Sequence, residues 1–135
     1  MKATVKWVDN ELFLGTSESG HCVAMDANGG ATAPSPMENV LMSLGGCSSV
    51  DVVSILQKAR QKITACRVEL SGTRVYSVPR VFSDIHLHFV VTGYDVAEKH
   101  VERAVALSAD KYCSVALMLD KAVNITHDFE VVAAE

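Results

Sequence analysis

The sequence predicts an α+β fold: three strands, a long buried helix, two strands, two helices and a closing strand, with the strands in an antiparallel sheet. Alternation of apolar and polar residues marks the strands. Asn39 to Val50 holds no charged side chain, and apolar residues point nearly all round until Asp51, the pattern of a helix covered on every side. A chain of 135 residues hardly supplies that cover alone. A dimer whose subunits wrap each other's central helix answers the need.

The elements follow in order. Lys2 to Val8 alternates, with Ala3, Val5 and Trp7 on one face and Lys2, Thr4 and Lys6 on the other, so a half-buried strand is expected. Asp9-Asn10 signals a turn, Leu12 to Gly15 pairs back, Ser17 to Gly20 turns again, and His21 to Asp26 forms a third strand. Asn28-Gly29-Gly30 ends it, and loop runs on to Pro36. Ser35 caps the long helix, Pro36 suits its first turn, and Glu38 favours its positive end. Gly45-Gly46 costs helix propensity, about 1 kcal/mol each, which points to close approach of another backbone just before Cys47. Gln57 to Lys62 is the wet exit of this helix.

Arg67 to Tyr76 and Arg80 to Thr92 are longer strands joined at Ser77-Val78-Pro79, with Gly72 marking a bulge. In the second, Ile85, Leu87, Phe89 and Val91 face one way, Asp84, His86 and His88 the other. Val96 to Ser108 reads as an amphipathic helix with Ala97, His100, Val101, Ala104 and Ser108 on its apolar stripe. Lys111 to Lys121 reads as a short apolar helix, and Val123 to Val132 as the last strand.

The length fits one domain, 1–135, and the 49% apolar and 21% charged composition is that of a globular protein with a real core. A net charge of −4 without a basic run argues against a nucleic-acid partner. Met1 to Trp7 lacks the apolar core of a signal peptide, and nothing later reads as a membrane span, so a cytoplasmic protein with no membrane partner is expected. In that setting the four cysteines are reduced thiols, and without CxxC or CxxxC spacing neither a zinc site nor any other cofactor is expected.

Two of these thiols point to chemistry. Cys113 is placed within the first turn of its helix, where free N–H groups favour a thiolate. Cys47 lies deep in the long helix, where burial raises a thiol pKa unless a cation or donor compensates, and Asp51 stands one turn beyond it. Cys22 and Cys66 lie in strands with no evident activator and read as structural. His21 points to the opposite side of its strand from Cys22, which disfavours a Cys–His dyad. His86 and His88 read as part of a solvent-facing sheet rather than a metal site, and His100 as a partly buried histidine.

Pro36-Met37-Glu38-Asn39-Val40-Leu41, then Gly45-Gly46-Cys47-Ser48, with Lys111-Tyr112-Cys113-Ser114-Val115 much later, resembles the OsmC/Ohr family, and more closely its YhfA-type branch. The likeness runs over essentially the whole chain. It implies an OsmC-like fold, antiparallel sheets around a long buried central helix, in an intertwined homodimer with two active sites at the subunit interface. It also implies a thiol-dependent peroxidase in oxidative-stress defence. Carried over, Cys47 is the peroxidatic cysteine, Cys113 resolves its sulfenic acid as a disulfide, and an external thiol reductant recycles the pair. Met37, Leu41, Met42 and Leu44 then shape an apolar funnel for a small organic hydroperoxide. The chain departs from the family pattern at two activating positions. It has no arginine before Arg60, leaving Arg60, Arg67 and Arg80 as candidates for that place. Met37 stands where the family has a glutamate, with Glu38 displaced by one and rotated about 100° on a regular helix. The alternatives are a ligand-binding or sulfur-handling protein on the same fold, and a redox sensor.

Overall fold

The computed structural model describes residues 1–28 and 31–135. Two residues of the expected Asn28-Gly29-Gly30 turn, both glycines, lie outside the described residues. The chain forms two compact units, Met1–Leu41 and Met42–Glu135.

In the first unit, β1 (Ala3–Asp9), β2 (Leu12–Ser17) and β3 (Cys22–Asp26) form an antiparallel meander. Both turns use residues that tolerate positive φ: Asn10 at 48° and Gly20 at 88°. The Trp7 indole N–H donates to the Asn10 carbonyl at 2.8 Å, closing the first turn. β1 is not half-buried as its alternation suggested; both faces are exposed, Val5 at 61% and Trp7 at 64%. Asp26, buried at the end of β3, receives the N–H of Asn28 (2.7 Å), the N–H of Thr32 (3.0 Å) and the Thr32 hydroxyl. These donors, the hydroxyl first, hold its carboxyl below the usual range.

The first long helix, α1 (Pro36–Lys58), starts with the cap its sequence called for. Ser35 Oγ accepts the Glu38 N–H at 3.2 Å, and Glu38 Oε1 accepts the Ser35 N–H at 2.9 Å.

In the second unit, the rest of α1 buries one stripe: Leu44, Gly45, Ser48, Val52 and Leu56, the three- and four-residue spacing of a single helix face. The cover expected on the other sides, from a second subunit, lies beyond the single chain. Met42 is 50% and Val50 68% exposed, because the chain's own second sheet covers one side only. The reading that nothing has the length of a membrane span is corrected: the 23 residues of α1 are long and apolar enough to cross one, a test that core helices also pass. A methyl on Gly45 would stand 2.7 Å from Leu70 Cδ1 and 3.2 Å from Val68 Cγ1, while one on Gly46 would meet nothing within 4 Å. The close approach is therefore by side chains of the sheet at Gly45, not by a backbone.

That sheet has the order β4 (Lys62–Arg74), β5 (Phe82–Tyr94), β6 (Asn124–Ala133). β4 and β5 are antiparallel, but β6 runs parallel to β5, so the sheet is mixed rather than wholly antiparallel. The two helices between β5 and β6 form the crossover that a parallel neighbour requires. Ile85, Leu87, Phe89 and Val91 are buried on the inner face, as their alternation foretold. Gly72 pairs regularly with Ile85; the register shifts at Thr73/Arg74 and Ile63/Ala65 instead.

α2 (Glu98–Leu107) buries Val101, Ala104 and Val105 and runs into a π-helical turn, Ser108–Tyr112. Cys113 then takes an extended backbone (φ −75°, ψ 104°) before α3 (Ser114–Leu119). The expected helix from Lys111 to Lys121 is thus shorter, and Cys113 stands before it rather than in its first turn.

Candidate active site

Cys47 and Cys113 come near each other within the second unit, where Ser48, the residue after Cys47, reaches the Cys113 sulfur. Cys47 is half-buried, on the α1 turn that carries Ser48; Cys113 is fully buried at the start of α3. The neighbouring Cys47 thiol disfavours ionisation of Cys113. Both are free thiols.

Two donors converge on the Cys113 sulfur. The Ser48 hydroxyl donates to it at 3.3 Å, and the Ala116 N–H at 3.4 Å, the sulfur acting as the N-cap acceptor of α3. The Ser108 hydroxyl is shared between the Ser48 carbonyl (3.3 Å) and Asp51 Oδ2 (3.0 Å), which ties the π-helical turn to α1 on either side of the thiols. The Cys113 N–H donates to the Ser108 carbonyl at 2.8 Å and fixes the approach of the chain.

The charge balance at Cys113 differs from the expectation of a favoured thiolate. Burial pushes its pKa above the ordinary 9.0, and the neighbouring Cys47 adds to the rise. The Ser48 hydroxyl and the Ala116 N–H pull the other way without overcoming it. Asp51 is occupied by Ser108 and lines an open cleft of about 490 Å³ together with Ser54, Ile55, Lys58, Arg103, Leu107 and Tyr112.

Residues 28–128 match the family model described as OsmC-like protein. Over 134 residues, 99% of this chain and the whole of the relative, the sequence is 62% identical to Protein YhfA of Escherichia coli K12. The chain belongs to the OsmC-like protein family. A solved structure of a hypothetical protein from Aquifex aeolicus VF5 superposes with a TM-score of 0.89 at 32% identity, covering 99% of this chain and 97% of that one. An organic hydroperoxide resistance protein OsmC from Legionella pneumophila shares the fold at 13% identity, with a TM-score of 0.72 over 97% and 98% of the two chains.

On this OsmC-like chain two of the three candidate arginines have partners of their own within the chain. Arg67 pairs with Glu69 at 3.6 Å, Arg80 Nε donates to the Val75 carbonyl at 3.2 Å, and Arg60 ends the helix at φ 59°. Leu44 belongs to the core, with no exposure, rather than to a funnel wall, whereas Met42 is exposed. Cys66 is half-buried and its thiol is pushed up by burial; Cys22 is exposed beside the Thr16 hydroxyl at 3.6 Å. His86 and His88 bind Asp128 across β5 and β6 at 2.9 and 2.7 Å. Sequence reasoning missed Ser48 and Ser108 as site residues. The signal was present for Ser108, a polar residue on the apolar stripe of α2, and for Ser48, which adjoins Cys47. Neither signal says which sulfur a hydroxyl reaches.

Proposed function

We propose that this protein is a thiol-dependent peroxidase that reduces organic hydroperoxides with Cys47 and Cys113, acting as a homodimer in a reducing compartment such as the cytoplasm. The observation that carries the reading is the approach of the half-buried Cys47 segment to the fully buried Cys113, whose sulfur takes the hydroxyl of the adjoining Ser48 at 3.3 Å. The family and the likeness to the Legionella organic hydroperoxide resistance protein support the substrate class.

The chemistry follows from that arrangement. The Cys47 sulfur attacks one peroxide oxygen, the O–O bond breaks, and the alcohol leaves with a proton. Cys47 becomes a sulfenic acid. The Cys113 sulfur displaces its hydroxyl as water, and a disulfide forms. An external thiol then returns both cysteines to the reduced state, with its own oxidation balancing the peroxide's reduction. No cation ahead of Cys47 other than Lys2 and Lys6 is available from the N-terminal segment, so turnover is expected to be slower than in relatives that keep the arginine.

The homodimer accounts for the exposed side of α1. Val50 and Met42 leave apolar surface on a central helix that a second copy would cover. The test is consumption of cumene hydroperoxide with dithiothreitol as reductant. Wild type turns over and Cys47→Ser does not; equal rates for the two overturn the proposal.

A further inference from the structure

We propose that Ser48 is a catalytic residue of the reductive half-reaction: its hydroxyl, with the Ala116 N–H, holds the Cys113 sulfur as the thiolate that leaves when an external thiol opens the Cys47–Cys113 disulfide. The inference rests on the reading above that these two sulfurs form a disulfide.

Access decides which sulfur is attacked. Cys113 has no exposed surface, whereas Cys47 is half-buried, so an incoming thiolate reaches Cys47. Displacement at a disulfide is in line, and its rate rises with the stability of the departing thiolate. The departing group is then Cys113, in a site where burial opposes charge. Hydrogen-bond donors offset that cost, and the buried sulfur has two: the Ser48 O–H at 3.3 Å and the Ala116 N–H at 3.4 Å. Ser48 is itself buried, and its backbone carbonyl is held by the Ser108 hydroxyl at 3.3 Å. The hydroxyl is therefore aimed before the reaction begins.

The step balances. The attacking thiolate forms a bond to Cys47 Sγ, and the S–S electron pair passes to Cys113 Sγ, leaving a mixed disulfide at Cys47. A second thiol then releases Cys47 and departs as the oxidised disulfide of the reductant. The two thiol protons end on the two cysteines.

The test uses the full chain oxidised with diamide, so that no peroxide is needed, followed by quench-flow reduction with dithiothreitol. Ser48→Ala opens its disulfide roughly ten- to hundred-fold more slowly than wild type, the loss expected for one hydrogen bond to a charged group. Ser48→Gly, which also lacks the hydroxyl, behaves likewise and serves if the alanine variant misfolds; Ser48→Thr restores the rate. Val52→Ala, a truncation on the same buried stripe without a hydroxyl, stays within about two-fold of wild type. With limiting glutathione, the mixed disulfide on wild type maps to Cys47. Undiminished opening in Ser48→Ala, an adduct on Cys113, or no Cys47–Cys113 disulfide after diamide overturns the assignment. If wild type consumes no hydroperoxide yet the diamide disulfide opens slowly in Ser48→Ala, the peroxidase reading fails and the role of Ser48 stands.

Discussion

In the proposed couple Cys113 holds two opposed demands in one atom: it stays neutral in a dry site until it reacts, and it bears charge when the disulfide breaks. Burial meets the first, and the Ser48 and Ala116 donors meet the second. On that proposal the four cysteines separate by role. Cys47→Ser should abolish peroxide-driven oxidation of a dithiol. Cys113→Ser should still react once and accumulate a sulfenic acid that dimedone labels at Cys47. Cys22→Ser and Cys66→Ser should keep wild-type turnover; a loss in either would move the site. The flanking motifs single out Cys47 and Cys113 in the sequence. The donor on Cys113 was not legible there, because Ser48 and Cys113 stand 65 residues apart and only the fold brings them together.

The elements carry the site through tight local fits. A side chain on Gly93 of β5 would collide with the Lys62 carbonyl and stand 2.6 Å from Val96 Cγ2 and 2.9 Å from Ile63 Cα. Gly93→Ala should lower the free energy of unfolding by about 2–3 kcal/mol in urea titrations, since backbone cannot give way as a flexible side chain can. On the outer face of the same sheet, His86 and His88 of β5 share Asp128 Oδ1 of β6. Glu69 of β4 and Glu130 of β6 also face His88. The hydrogen bond from His88 holds Asp128 below its ordinary 3.8, so its contribution to stability is present above that value and lost as pH falls through the lower folded pKa. The bond to Asp128 holds His88 above its ordinary 6.5, so its contribution is full below that value and lost as pH rises through the higher folded pKa. The melting-temperature difference between wild type and Asp128→Asn should therefore be largest between about pH 4 and 6.5 and shrink toward both ends; a difference that keeps growing above pH 8 would contradict the pairing. The strands were legible because alternation is a local property. The direction of β6 was not, since alternation reads alike in either direction. The shortened helix at Cys113 was missed because a buried thiol acting as an N-cap carries none of the usual cap residues.

For the whole molecule, the unanswered surface is the outer side of α1. The sequence pattern described a helix covered all round; the single chain covers one stripe. Both observations agree if a second copy supplies the rest, so sedimentation should give twice the 14.5 kDa chain mass, and Val50→Asp should shift it toward the monomer. A wild-type monomer at micromolar concentration would contradict the dimer. The central claim is that Cys47 and Cys113 form one redox couple, and intact-mass and peptide mass spectrometry after one equivalent of cumene hydroperoxide tests it most directly. A loss of two daltons mapping to a Cys47–Cys113 linkage is the predicted result. An unchanged mass, or a linkage through Cys22 or Cys66 instead, would contradict it.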